Sequence, residues 1–199
     1  MRESVTLPAT QNVLVVDDER SIRRLFEMAI ESEGRVTQSC ADGFAALEMT
    51  HTNHYDLVHL DLRMPGLSGI DVLREMRRRN DLTRVVICSA FIPSSAMLNA
   101  VRYGVSTFLA KPVTLKILRN VVCNALDATT LGPLAKALLY VEKLNHSRAI
   151  AALEHFRGST NDHVVHAWLE VLKGIVRGES NEQLLPAANI LRTHIFFNR

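Results

Sequence analysis

The sequence predicts an α/β fold: a doubly wound, five-stranded parallel sheet, followed by a small all-α unit. Three observations predict it. Short apolar runs of strand type alternate with amphipathic helical stretches from residue 12 to about 127. The runs are near-continuously apolar, as in parallel strands covered on both faces, rather than alternating. Beyond Thr129-Thr130-Leu131-Gly132-Pro133 only helical periodicity remains,.

Each element has a local reason. Asn12–Asp17 is a compact apolar run closed by acid. Arg20–Glu33 places Ile22, Leu25, Phe26, Ala29 and Ile30 on one helical face, and Gly34 stops it,. Arg35–Cys40 is a weaker strand, and Gly43–Thr50 a short helix. Tyr55–Asp61 is the third strand. A loop carrying Pro65, Gly66 and Gly69 leads to a helix that ends in Arg77-Arg78-Arg79, read as a solvated end whose cations suit the helix dipole,. Arg84–Ser89 is the fourth strand, Ser94–Tyr103 a helix, Val105–Ala110 the fifth strand, and Thr114–Ala128 the closing helix. Residues 1–10 form an extension, 11–128 the α/β domain, 129–133 a linker, and 134–199 the helical domain. There Leu134, Leu138 and Val141 fit one helix, and Ile150, Leu153 and Phe156 a second. Val164, Trp168, Val171 and Ile175 are spaced 4, 3, 4, as are Leu184, Ala188, Leu191 and Ile195,. Breaks at Asn145-His146, Gly158-Ser159 and Gly178-Glu179-Ser180 separate about four helices.

Bulk properties exclude several classes. With 199 residues, 47% apolar and 22% charged, the chain has the make-up of a globular protein with a real core,. Net charge is only +2, too little to argue for nucleic acid,. Cys40, Cys88 and Cys123 have no pairing pattern and read as reduced thiols,. With no membrane-length apolar stretch and no signal-peptide pattern at the start, the expected location is the cytoplasm.

The chemistry lies at the strand ends. Asp17-Asp18, Asp61 and Lys111 each close an apolar run, and an open parallel sheet builds its sites there,. One acidic pocket with one cation beside it suits magnesium, which takes hard oxygen ligands, and a phosphoryl group. A carboxylate can attack phosphorus and form an acyl phosphate, a reaction that needs mainly positioning and charge neutralisation. His59, two residues before Asp61, reads as a buried, hydrogen-bonded strand histidine.

Val15-Val16-Asp17-Asp18-Glu19, Asp61-Leu62-Arg63-Met64-Pro65, Gly69, Ser89-Ala90, Phe108 and Lys111-Pro112 occur in an order and spacing that resembles the receiver domain of two-component response regulators. The resemblance covers about residues 11–128 and implies a flavodoxin-like strand order 2-1-3-4-5. It implies that Asp61 accepts phosphoryl from a histidine kinase or phosphotransfer protein. Magnesium would be held by Asp17, Asp18, Asp61 and the backbone carbonyl of Arg63. Ser89 and Lys111 would bind phosphoryl oxygens, Ser89 and Phe108 would switch, and the bond to Pro112 would be cis. Gly66 and Gly69 would shape the loop after the nucleophile. Phe91 and Arg63 depart from the common pattern at positions that influence water access, which implies an altered phosphate lifetime. Such a domain catalyses only its own phosphorylation and dephosphorylation.

The tail carries weaker signals. Trp168, Val171, Ile175, Gly178, Leu184 and Ala188 resemble one tetratricopeptide-like hairpin, which suggests a protein-interaction or dimerisation module,. Glu170-Val171-Leu172, Gly178-Glu179-Ser180-Asn181 and Thr193-His194 resemble fragments of a LuxR-type helix-turn-helix. That alternative is four residues short, sets Pro186 inside a helix, and leaves the recognition segment Asn189–Arg199 only Arg192 and Arg199 as cations,. His163 and His166 are three apart, as a helical metal pair would be, but no catalytic motif accompanies them,.

Overall fold

A computed structural model describes residues 11–31, 34–126, 145–154 and 162–197. Five parallel strands form one sheet in the order β2-β1-β3-β4-β5. They are β1 (Asn12–Val16), β2 (Val36–Cys40), β3 (Leu57–Asp61), β4 (Arg84–Ser89) and β5 (Thr107–Ala110). Between and after them run α1 (Arg20–Glu31), α2 (Gly43–Thr52), α3 (Gly69–Arg78), α4 (Ser94–Arg102) and α5 (Leu115–Leu126). The tail contributes α6 (His146–Glu154), α7 (Asp162–Arg177) and α8 (Asn181–Phe197). The first predicted tail helix, the linker, the N-terminal extension, Phe156 and Gly158-Ser159 lie outside the described residues.

Non-alternating strands bury both faces. Val13, Val15, Leu57, Val86 and Cys88 pack with Phe26, Ala29, Ile30, Leu118 and Val122 of α1 and α5. Leu14, Val16, Val58, Leu60, Val85 and Ile87 face the other way, into a larger cluster with α2–α4. That cluster continues into the tail through Leu153, Trp168, Leu172, Leu184, Ala188 and Leu191. Helix α8 lies along α4 and touches β5. Each fully buried leucine there contributes about 1.5–3 kcal/mol, so the tail is held by burial as well as by polar contacts.

Strand β2 starts one residue later than predicted, and β3 and β5 start two residues later. Tyr55 and Asp56 precede β3, where the Asp56 carboxylate accepts the Asn12 N–H at 2.8 Å. Val105 and Ser106 precede β5: the Val105 N–H bonds back to Ala100 O at 3.0 Å, and the Ser106 hydroxyl accepts the Val85 N–H at 3.1 Å. One backbone bond to the neighbouring strand remains at each place, from the Asp56 N–H to Asn12 O at 2.8 Å and from the Ser106 N–H to Val85 O at 2.9 Å, while a side chain takes the other,. β1 ends at Val16, although the Asp17 N–H still reaches Cys40 O at 3.3 Å. Helix α2 runs on to Thr52 behind an Asp42 cap that accepts the Ala45 N–H,. Pro186 sits in the second turn of α8, where it costs one intrahelical bond,.

The arginine run needs correcting. Arg78 and Arg79 pair with Glu75 at 2.7 and 2.9 Å on the surface. Arg77 instead donates to four carbonyls, those of Asp81, Thr83, Tyr103 and Gly104, at 2.6–3.1 Å. It pins the end of α3 to the turn after α4, a structural anchor rather than a solvated cation.

Candidate functional site

The ends of β1, β3, β4 and β5 converge on one cluster. Asp17 is fully buried and Asp61 is 4% exposed. Lys111 extends between them, with Nζ 2.7 Å from Asp17 Oδ2 and 3.0 Å from Asp61 Oδ1. The remaining carboxylate oxygens take backbone N–H groups: Asp17 Oδ1 from Glu19 at 3.1 Å, Asp61 Oδ2 from Arg63 at 2.8 Å. Burial raises the Asp61 carboxyl above its ordinary range, and the charge of Asp17 adds to this, against the opposing pull of Lys111,. Burial alone would lower the Lys111 ammonium, but hydrogen bonds and charge from Asp17 and Asp61 outweigh it and raise it.

Other residues frame the pair. Asp18 is exposed, and among the described residues no three acidic, histidine or cysteine side chains converge in metal-binding geometry. Arg23, which the sequence did not single out, donates to the carbonyls of Asp17 and Asp18 at 2.7 and 3.0 Å and fixes the acidic turn. The Lys111–Pro112 bond is cis, and the Lys111 N–H bonds to Ser89 O at 3.0 Å. Ser89 is buried, and its hydroxyl donates to the carbonyl of Phe91 at 3.1 Å. Phe108 is buried in the cluster that α4 and α8 share. Arg63 is exposed. Phe91, 49% exposed, has the Arg192 guanidinium of α8 at 5.8 Å from its ring centre.

The loop after Asp61 is built against the site. Ser68 caps α3, accepting the Asp71 N–H at 3.3 Å. Gly69 bonds through its N–H to Leu62 O at 3.1 Å. A Cβ there would lie 2.2 Å from the Asp61 carbonyl oxygen and 3.1 Å from Leu62 Cα. Both are backbone atoms, so α3 or the end of β3 would have to move. Gly69→Ala should cost about 1–3 kcal/mol, the usual range for forced overpacking. An unchanged thermal midpoint would show that the loop yields freely.

His59 is buried, as read, but not hydrogen-bonded. Neither ring nitrogen meets a partner among the described residues. The ring lies 3.8 Å, centre to centre, from Phe26, in the apolar layer between β3 and α1.

With this geometry in view, residues 13–123, more than half the chain, match the response regulator receiver domain model. The chain belongs to the response regulator receiver family. It is 33% identical over 121 residues to regulatory protein AtoC of Escherichia coli, covering 61% of this chain and 26% of that protein. It is 32% identical over 112 residues to sporulation initiation phosphotransferase F of Bacillus subtilis, covering 56% of this chain and 90% of the relative. Against AtoC, therefore, the match spans only about a quarter of the relative. Among solved structures, the Francisella response regulator 1452 receiver domain superposes with TM-score 0.56 and 31% identity, covering 61% of this chain and all of that one. The response regulator TrrA from Thermotoga maritima, in complex with Mg2+–BeF, gives TM-score 0.53 and 28% identity over 58% of this chain and 99% of that one. No described helix is long and apolar enough to cross a membrane.

Proposed function

We propose that this protein is a phosphoacceptor: Asp61 takes a phosphoryl group from a histidine kinase or phosphotransfer protein, and the helical tail passes the signal to a protein partner or a second copy. The observation that carries the reading is Lys111 held between Asp17 and Asp61, both buried, at the carboxyl edge of the sheet. The donor set fits magnesium, since every candidate ligand is a hard oxygen and the two carboxylates already share one cation. Asp17, Asp18, Asp61 and the Arg63 carbonyl would hold it. When bound, it would neutralise charge on the incoming phosphoryl oxygens.

The chain's own residues do the rest. The Arg63 N–H holds Asp61 Oδ2, which makes Oδ1, paired with Lys111 at 3.0 Å before the reaction, the oxygen to attack, while Asp17 keeps Lys111 within reach of the product. Lys111 and the Ser89 hydroxyl then bind oxygens of the new acyl phosphate. The tail reading draws support from α8, whose apolar stripe and Asn189 and Arg192 are engaged with protein rather than left free for phosphates.

Incubation with acetyl phosphate and magnesium should add the mass of one phosphate to the wild type and none to Asp61→Asn. Phosphate gain that survives this substitution, or none in the wild type, would sink the proposal. Removal of magnesium by chelation should abolish the gain.

A further inference from the structure

We propose that the cleft between α1 and β2 binds a diphosphate group, free or at the end of a nucleotide. The proposal stands independently of the Asp61 reading. The cleft holds about 410 Å3 and is lined by Arg20, Arg23, Arg24, Glu27 and Ser39. That volume falls among small-molecule sites, which run from about 300 to 1,000 Å3. Arg20, Arg23 and Arg24 follow one another at helical spacings of three and four, so they share one face of α1,. Like charges so spaced repel, and an anion seated among them removes the conflict.

The one acid in the cleft is already committed. Glu27 Oε1 accepts the Ser39 hydroxyl at 2.5 Å, and its Oε2 lies 3.8 Å from Arg24 Nη1. Ser39 belongs to β2, so this bond ties α1 to the edge of the sheet. No carboxylate pairs with Arg20 or Arg23 among the described residues. Three guanidinium groups therefore face one carboxylate, and the cleft keeps a net positive charge.

Arg23 is set in place before any ligand arrives. It is half-buried, and its Nη1 donates to the Asp17 and Asp18 carbonyls at 2.7 and 3.0 Å. Its Nε and Nη2 make no bond among the described residues. That edge of the planar fork can take two phosphate oxygens at once. Arg20 and Arg24 are exposed, one turn apart, and are placed to hold a second phosphate. A single phosphate is satisfied by one such fork; three arginines and this volume match two. No aromatic or aliphatic side chain lines the cleft among the described residues, so recognition falls on the phosphates and is indifferent to a base.

The experiment uses the full chain in metal-free buffer with a chelator, so that magnesium cannot sequester the anion or bridge it to the Asp61 pocket. Inorganic diphosphate, ADP, GDP and inorganic phosphate are titrated calorimetrically into the wild type, Arg20→Gln and Arg24→Gln. Diphosphate should bind the wild type at least about ten-fold tighter than phosphate, and each substitution should weaken it about ten-fold, the low end of what one charge-assisted hydrogen bond is worth. In the wild type, diphosphate should shift the Nε–H resonance of Arg23. Binding of diphosphate, ADP and GDP alike assigns the shared group, and binding of diphosphate with both nucleotides excluded assigns the free anion. Unchanged affinity in both variants, an Arg23 resonance indifferent to diphosphate, ADP and GDP bound unequally, or no binding at about 1 mM overturns the proposal. Both variants should still be labelled by acetyl phosphate and magnesium as the wild type is, which shows them folded. Loss of labelling in all three chains sinks the Asp61 reading and leaves the cleft untouched.

Discussion

Lys111→Met should destabilise the protein by about 3–5 kcal/mol at neutral pH and low magnesium, the usual cost of removing one partner from a buried ionic group. For a chain of this size that is roughly 10 °C in the unfolding midpoint. The substitution keeps the length of the side chain and removes only its charge. Asp17 and Asp61, both buried, would then face one another with nothing between them and only backbone N–H groups for compensation. Burial and Asp17 already raise the Asp61 carboxyl in the presence of Lys111. Without the ammonium the rise must grow.

A carboxyl with a raised folded-state pKa binds more protons folded than unfolded, so stability falls as pH rises through its range. The Lys111→Met deficit should therefore shrink as the pH is lowered into the carboxylate range, relative to the wild type at the same pH,. Magnesium should shrink it too, but at neutral pH, where the carboxylates are charged and can bind it. Chemical denaturation at pH 7.5 and 4.5, with and without magnesium, reads all of this. A deficit that widens in acid, or one indifferent to magnesium, would show that the carboxylates do not form a single electrostatic unit.

Much of this arrangement was legible in the sequence because strand ends are. Apolar runs such as Val13–Val16 and Leu57–Leu60 signal parallel strands, and the residue that closes each run must stand at one edge of the sheet,. The same logic brought Lys111 and Ser89 to the edge of β5 and β4. What stayed hidden were side chains whose work is to bind backbone. Arg77 and Arg23 look like surface cations in a linear reading, since nothing local says which carbonyls will lie within reach. The docking of α8 on α4 was equally silent. The apolar stripe of Leu184, Ala188 and Leu191 announced a buried face but not its partner, because burial has no direction in sequence,. Strand starts at Val105 and Tyr55 failed for a related reason: apolar composition continues past the point where capping bonds take over.

His59 affects stability with a sign that a linear reading does not reveal. A strand histidine reads as satisfied, yet this imidazole is 1% exposed with both nitrogens unpartnered among the described residues. Burial, with a further push from the Lys111 charge, lowers it to about 3 from the ordinary 6.5. A buried donor without a partner costs about 1–3 kcal/mol even when the ring is neutral. His59→Leu should therefore stabilise the protein by about that amount at pH 7.5. In acid the gap should widen. Between pH 6.5 and 3 the unfolded chain takes up a proton on His59 that the folded chain refuses, so wild-type stability falls as pH falls through that window. At pH 5 this adds about 2 kcal/mol, at 1.36 kcal/mol per unit. The leucine variant has no such proton, and the carboxylates, which titrate in both chains, cancel in the comparison. Urea unfolding of the two chains at pH 7.5 and pH 5 isolates the difference. A gap of equal size at both pH values would mean that the imidazole finds a partner in solution, and its burial would then carry no acid sensitivity into the strand that ends at Asp61.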